Sequence, residues 1–309
     1  AGHWVTVYEK SDAIGGLLRY GIPDFKLSKS VIDRRLALFV DEGIIFKPNV
    51  NVGVDISKEE LYNEYDAVLL AVGAEQPRDL QVEGRDLEGV YFAMDFLTQQ
   101  NKKISGKLSE DEFRILAKNK NVLVIGGGDT GSDCVGTSIR QKAKSVTQIE
   151  ILPKPPEKRD DNNPWPYWPN TIRTSSSHQE GCQRHWSLST KRFIGENGKL
   201  KQVEVVQVEW KKDATGRYTM HELEGTTELL NAELALLSMG FTQPVHVGLL
   251  DALGVDYDQR GNVKVNGKKQ TSVAKLFAAG DAEKGASLVV HAIEAGKVAA
   301  KNMDAFLRQ

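Results

Sequence analysis

The chain has 309 residues, with 40 Lys+Arg against 42 Asp+Glu and a formal charge of −2, so no bulk field favours nucleic acid or an anionic membrane. Hydrophobic residues make up 40% and charged ones 27%, ordinary values for a globular chain whose length suits about two domains. No apolar run approaches the roughly 18 residues of a membrane span, and the opening Ala-Gly-His-Trp lacks the basic start and apolar core of a signal peptide, so a cytoplasmic location is expected.

In chain order, Val5-Thr6-Val7-Tyr8 reads as a short strand ending at Glu9. So near residue 1, it is expected to be the second strand of a βαβ unit whose first half is absent from the sequence. Residues 28–42 open on a capping Ser28 and stop at Gly43, with Val31, Ile32, Leu36, Phe39 and Val40 at helical spacing. A strand at 44–47, a helix near 57–64 and a buried strand at 67–72 follow. An apolar strand at 121–125 runs straight into Gly126-Gly-Gly-Asp-Thr-Gly131, then a helix to about Ala143 and a strand at 145–151. Residues 153–170 hold Pro153, Pro155, Pro156, Pro164, Pro166 and Pro169, which predicts a loop without regular structure. Within it, Trp165 and Trp168 are expected to pack the loop down, with a docking surface as the alternative. The turns Glu196-Asn-Gly198 and Asp213-Ala-Thr-Gly216 predict antiparallel hairpins over 187–238. A strand at 276–279 and a helix at 288–306 close the chain.

A glycine triplet alone is a weak signal. Here Gly126, Gly128 and Gly131 stand between a strand and a helix, and an acidic residue, Glu150, ends the next strand, which is the context of a dinucleotide site. Gly126 allows the tight turn, Gly127 and Gly128 let backbone amides approach a pyrophosphate, and Gly131 lets helix pack on strand. Asp129 and Thr130 begin the helix, whose end presents partial positive charge to the phosphates. Laid beside Val146-Thr-Gln-Ile-Glu150, the run Val5-Thr-Val-Tyr-Glu9 puts Glu9 and Glu150 at equivalent positions, each able to accept from ribose hydroxyls. A carboxylate at 150 repels a 2′-phosphate, and Ile151 and Leu152 follow it where an arginine would serve NADPH. The local chemistry therefore leans to NADH, although Lys154, Lys158 and Arg159 of the proline-rich loop could reach back.

Four further segments carry a family resemblance. Glu9-Lys10 followed by the run Gly15 to Leu27 (Gly-Gly-Leu-Leu-Arg-Tyr-Gly-Ile-Pro-Asp-Phe-Lys-Leu) resembles the flavin-domain signature of glutamate synthase small subunits. Ala67 to Ala74 resembles the strand and turn by which such a domain closes on FAD. Leu276 to Asp281 with Ala286 to Val290 resembles the Gly-Asp motif of FAD-dependent pyridine-nucleotide oxidoreductases, and Asp161 to Pro169 resembles a loop of one glutamate synthase branch.

The resemblance implies that Glu9 binds the FAD adenosine ribose, that Leu17 and Lys26 lie along the flavin nucleotide, and that Val52 offers backbone contacts to adenine. Lys10, Gly16, Ala71, Val72 and Gly73 belong to the same implied FAD site. Gly280 and Asp281 would hold the ribityl–pyrophosphate region, and the backbone of Ser287, Leu288 and Val289 would face the flavin edge, where helix-end amides stabilise negative charge. Gly127 to Thr130 would cradle the phosphates of NADH or NADPH, and Ser238-Met-Gly240 would pass beside the nicotinamide.

The implied fold is α/β, two Rossmann-like nucleotide-binding domains with one inserted in the other: 1–110 with 245–309 for FAD, and 111–244 for NAD(P)H. The implied activity is hydride transfer from NAD(P)H to FAD as the electron-input module of glutamate synthase, whose large subunit would be the partner and forms glutamate from glutamine and 2-oxoglutarate. No catalytic side chain is named, because hydride transfer needs orientation and electrostatics and no protein acid or base.

The sequence departs from the family in lacking both the cysteine-rich iron–sulfur domain and the first FAD glycine turn, so an N-terminally truncated module is expected. Cys134 and Cys182 are too few for a cluster and form no Cys-x-x-Cys, so no iron–sulfur centre within the chain and no dithiol chemistry are expected. None of His3, His178, His185, His221, His246 and His291 has metal-ligand spacing, and no Gly-x-Ser-x-Gly elbow is present. A related electron-input module, as in dihydropyrimidine dehydrogenase or a ferredoxin:NADP oxidoreductase, and a non-catalytic binding module remain the alternatives.

Overall fold

Two nested units follow from how the strands pair. A computed structural model of the chain describes residues 1–167 and 169–309. One unit gathers Ala1–Arg19, Lys29–Arg78 and Gly240–Gln309, and the other gathers Tyr20–Ser28 and Asp79–Met239.

The outer unit opens with strand β1 (Thr6–Glu9), helix α1 (Gly16–Tyr20, whose last residue counts with the inner unit), helix α2 (Lys29–Asp41), strand β2 (Ile45–Pro48), helix α3 (Lys58–Glu64) and strand β3 (Val68–Leu70). A capping box starts α3, Ser57 Oγ accepting from the Glu60 amide while the Glu60 carboxylate accepts from the Ser57 amide, which satisfies two of the amides a helix start leaves open. Gly43, at φ +88°, ends the turn after α2 in the left-handed region that glycine adopts without penalty.

The inner unit runs through β4 (Val90–Phe92), α4 (Ala93–Ile104), β5 (Asn121–Ile125), α5 (Asp129–Arg140), β6 (Ser145–Glu150), α6 (Ser176–Gln179), β7 (Gln183–Trp186), β8 (Leu188–Glu196), β9 (Lys199–Lys212), β10 (Tyr218–Glu222), β11 (Glu228–Asn231) and β12 (Leu234–Leu237). The outer unit then resumes with α7 (Leu249–Leu253), β13 (Leu276–Ala278), α8 (Asp281–Lys284) and α9 (Val289–Leu307).

In the inner unit a five-stranded sheet has the order β4-β12-β5-β6-β7, every pair parallel. Parallel strands covered on both faces must be apolar on both. On β5, Val122 and Val124 pack with Phe96, Leu97 and Val135 of the helices, while Leu123 and Ile125 pack with Phe193, Leu200, Val203 and Val205. The second group belongs to a four-stranded sheet in which β9 pairs antiparallel with β8, β10 and β11. The outer unit holds two parallel pairs, β1 with β2 and β3 with β13, and a core of Leu70, Leu250, Leu253, Val263, Leu276 and Ala278 lies under the second.

The expected boundaries at 110/111 and 244/245 shift to Arg78/Asp79 and Met239/Gly240, and Tyr20–Ser28 joins the inner unit. Pairing is the reason: β4 lies in register with β12, Ala235 opposite Val90, and this draws residues 79–110 into the inner unit. Trp165, expected to pack down, is 82% exposed. Its loop is held instead by Arg159, whose guanidinium donates to the carbonyls of Asn163 and Tyr167. Trp168 lies outside the described residues.

Candidate functional sites, one in each unit

The inner unit's site is built where β5 turns into α5. Gly126 sits at φ +122°, and a Cβ there would come within 2.3 Å of the Ser238 carbonyl oxygen. A Cβ on Gly131 would meet the Gly126 oxygen at 2.3 Å, so this glycine lets the helix seat against the strand. Gly128 faces open space and caps α5 without a side-chain bond, which leaves the first-turn amides to a ligand. Asp129 is exposed and Thr130 half-buried at this helix start.

Glu150, the last residue of β6, reaches back to the turn: its Oε2 accepts from the Gly127 amide at 2.6 Å and its Oε1 from the Leu152 amide at 3.1 Å. A carboxylate held against a glycine turn at a helix N-terminus presents one acceptor edge beside an anion cradle. That arrangement suits an adenosine ribose next to a pyrophosphate.

Gln148, two residues earlier on β6, reaches the same turn. It is 2% exposed, and its Nε2 donates to the Gly126 oxygen at 2.8 Å. Sequence reading passed over Gln148, whose place two residues before Glu150 on the same strand was the available signal. Nor did it place His178, weighed only as a metal ligand, whose Nε2 lies 2.9 Å from Gln148 Oε1.

In the outer unit, the Glu9 Oε1 accepts from the Ser11 amide at 2.8 Å, and the Val50 amide donates to the Glu9 backbone carbonyl at 3.0 Å, which brings the 50–52 segment carrying Val52 beside it. Lys10 pairs with Glu75. Gly16 and Leu17 are exposed at the start of α1. Strands β3 and β13 run in register, Leu70 opposite Ala278, so Ala71, Val72 and Gly73 leave the sheet at the same end as Gly280 and Asp281. Asp281 Oδ1 accepts from the Ser287 hydroxyl at 2.9 Å. The N-terminus of α9 carries no side-chain cap, and Leu288, Val289 and Val290 around it are 48–61% exposed. Apolar side chains flanking uncapped amides fit a flat, partly apolar ring that gathers negative charge on one edge.

Two expected site residues are grouped with the other unit. Lys26 belongs to the inner unit, where its Nζ donates to Ser176 Oγ at 3.3 Å. Gly240 belongs to the outer unit, its oxygen accepting from the Arg78 amide at 2.9 Å.

A family model described as pyridine nucleotide-disulphide oxidoreductase matches residues 30–296. The chain belongs to the pyridine nucleotide-disulphide oxidoreductase family. It is 47% identical over 310 residues to the glutamate synthase [NADPH] small chain of Mycobacterium tuberculosis (strain H37Rv), covering 99% of this chain and 62% of that one. Against the glutamate synthase [NADH] of Schizosaccharomyces pombe the identity is 44% over 315 residues, covering 98% of this chain and 15% of the relative. The fold matches that of FprA from Mycobacterium tuberculosis in complex with NADPH at TM-score 0.75 and 20% identity, over 99% of this chain and 77% of that one. This oxidoreductase chain therefore spans less than two thirds of the length of the Mycobacterium tuberculosis small chain. Of its two cysteines, Cys134 is wholly buried in α5, where burial pushes the thiol well above its ordinary range, and Cys182 is raised to about 11.

Proposed function

We propose that this chain is the electron-input part of a glutamate synthase, taking a hydride from NADH onto FAD, with the large subunit as downstream partner. The observation that carries the reading is 47% identity to a glutamate synthase [NADPH] small chain over 99% of the chain, a span that includes both candidate sites. NADH is favoured over NADPH because a 2′-phosphate at the ribose would meet the Glu150 carboxylate.

FAD, when bound, accepts the hydride and supplies the redox chemistry. The chain's residues bind and orient. Glu9 and the 50–52 segment would hold the adenosine end, Asp281 with Ser287 the middle, and the amides opening α9 the ring edge. In the inner unit the open amides at the start of α5 would take the coenzyme pyrophosphate, and Glu150 its ribose. The exposed Leu288, Val289 and Val290 would exclude water from one edge of the ring.

The test is cofactor content. Purified chain, with FAD supplied during purification, should release FAD on heat denaturation, identified by its fluorescence before and after phosphodiesterase cleavage. A chain that carries no flavin after incubation with FAD contradicts the reading for this chain.

A further inference from the structure

The Gly126–Gly127 peptide is gripped at both polar ends. Its carbonyl accepts from Gln148 Nε2 at 2.8 Å, and its amide donates to Glu150 Oε2 at 2.6 Å. Gln148 and Glu150 are i and i+2 on β6, so their side chains leave the same face of the strand and reach one peptide together. Behind Gln148 the hydrogen bonds continue inward. His178 Nε2 lies 2.9 Å from Gln148 Oε1, and the Ser175 amide donates to His178 Nδ1 at 3.1 Å.

These partners fix every direction in the relay. Gln148 spends its amide nitrogen on Gly126, so its oxygen must accept, and His178 must carry its proton on Nε2. His178 Nδ1 then accepts from the Ser175 amide. The relay runs Ser175 N–H to His178, His178 N–H to Gln148, Gln148 N–H to Gly126. Its members are 2% exposed at Gln148 and 9% at His178, so a bond lost here is not replaced by water. Ser132, in the first turn of α5, hydrogen-bonds Ser175 through the two hydroxyls and ties the far end of the relay back to the same helix.

We propose that Gln148, aimed by His178, is a positioning residue of the coenzyme site that holds the Gly126–Gly127 peptide so that the amides after it face a pyrophosphate. The proposal rests on reading this turn as the coenzyme site. Without the relay, the carbonyl of Gly126 has, among the described residues, only a distant alternative donor in Ser238 Oγ at 3.5 Å, and the peptide is held at its amide end alone, by Glu150, which loosens the hold on its orientation. Sequence motifs describe this turn by its glycines; here a buried side-chain relay sets the orientation that the glycines permit.

Isothermal titration of the full chain with NADH and with ADP-ribose, well below each variant's melting midpoint, tests it. Gln148→Met keeps the volume and removes both bonds, and it should weaken both ligands about tenfold or more. His178→Ala should do the same, and His178→Gln, whose amide reaches as far as Nε2, should recover to within about threefold of the parent. A purely structural role predicts full affinity in whatever fraction stays folded. If a truncation does not fold, His178→Gln against His178→Asn decides, because the shorter amide falls short of Gln148. Wild-type affinity in Gln148→Met, or equal affinities for the Gln and Asn variants, overturns the proposal. Failure of the parent chain to bind either ligand would instead overturn the coenzyme site itself.

Discussion

Glu150 and Glu9 end their strands in the same local shape, each carboxylate accepting from the amide two residues on, Leu152 at 3.1 Å and Ser11 at 2.8 Å. The match inferred by laying two short runs side by side thus reappears as matched geometry. Because Glu150 is already fixed by two amides, on the proposed reading it would discriminate between coenzymes without having to reorganise. Glu150→Ala should weaken NADH about tenfold, as expected for losing hydrogen bonds to a charged group, while leaving NADPH unchanged or tighter. Titration calorimetry with both coenzymes checks this, and an unaltered ratio of affinities would remove Glu150 from coenzyme choice. Glycines 126, 127 and 131 were legible because each makes room for something a Cβ would strike. The amide of Gln148 and the ring of His178 were not, because their roles arise only when residues 30 positions apart hydrogen-bond at 2.9 Å.

At the scale of elements, β1, α2, β5, α5, β6 and α9 all appear within a few residues of where periodicity and caps put them. Of those missed, β4 has three residues and is a strand by virtue of pairing with β12, β7 extends the sheet beyond β6, and α4 is a 12-residue helix whose apolar spacing, with Phe96 and Leu97 in the core, went unread. The segment Tyr20–Ser28 is more telling. Its sequence reads as part of a flavin signature, yet its contacts are with the inner unit: Phe25 lies against Gly136, and the Arg140 guanidinium stacks 3.6 Å from the centre of its ring. Asn101, 4% exposed, fastens the segment by donating to the carbonyls of Tyr20 at 2.9 Å and Ile22 at 3.2 Å. Replacing Asn101 with Leu removes both of these hydrogen bonds, which should cost about 1–3 kcal/mol. Faster tryptic cleavage after Lys26 and an earlier urea midpoint are the expected readings; parental rates at Lys26 would show that Asn101 does not hold the segment.

For the whole molecule, the nested α/β plan came from the family resemblance, whose flavin-type segments flank the strand-turn-helix unit at Gly126–Gly131. The exact cut was not legible, because residues 79–110 join the inner unit through β4, which pairs with β12 across a long separation. Global stability should depend on pH through the relay. Burial, with the Arg184 and Lys26 cations nearby, lowers His178 from 6.5 to about 4. The folded state therefore binds this proton more weakly than the unfolded chain does. The stabilisation is complete above about 6.5 and is lost as the pH falls toward 4. Denaturant melts across that window should show the parent losing more stability than His178→Gln; parallel curves would contradict it.

The central claim, on the proposed reading, is that a coenzyme whose pyrophosphate the inner unit's glycine turn binds reduces a flavin held by the outer unit. The most direct measurement is the visible absorbance of the FAD-loaded chain under anaerobic conditions, before and after one equivalent of NADH and, separately, of NADPH. The account predicts a flavin band that bleaches with NADH, and more slowly or at higher concentration with NADPH. A flavin band that neither coenzyme bleaches would contradict it.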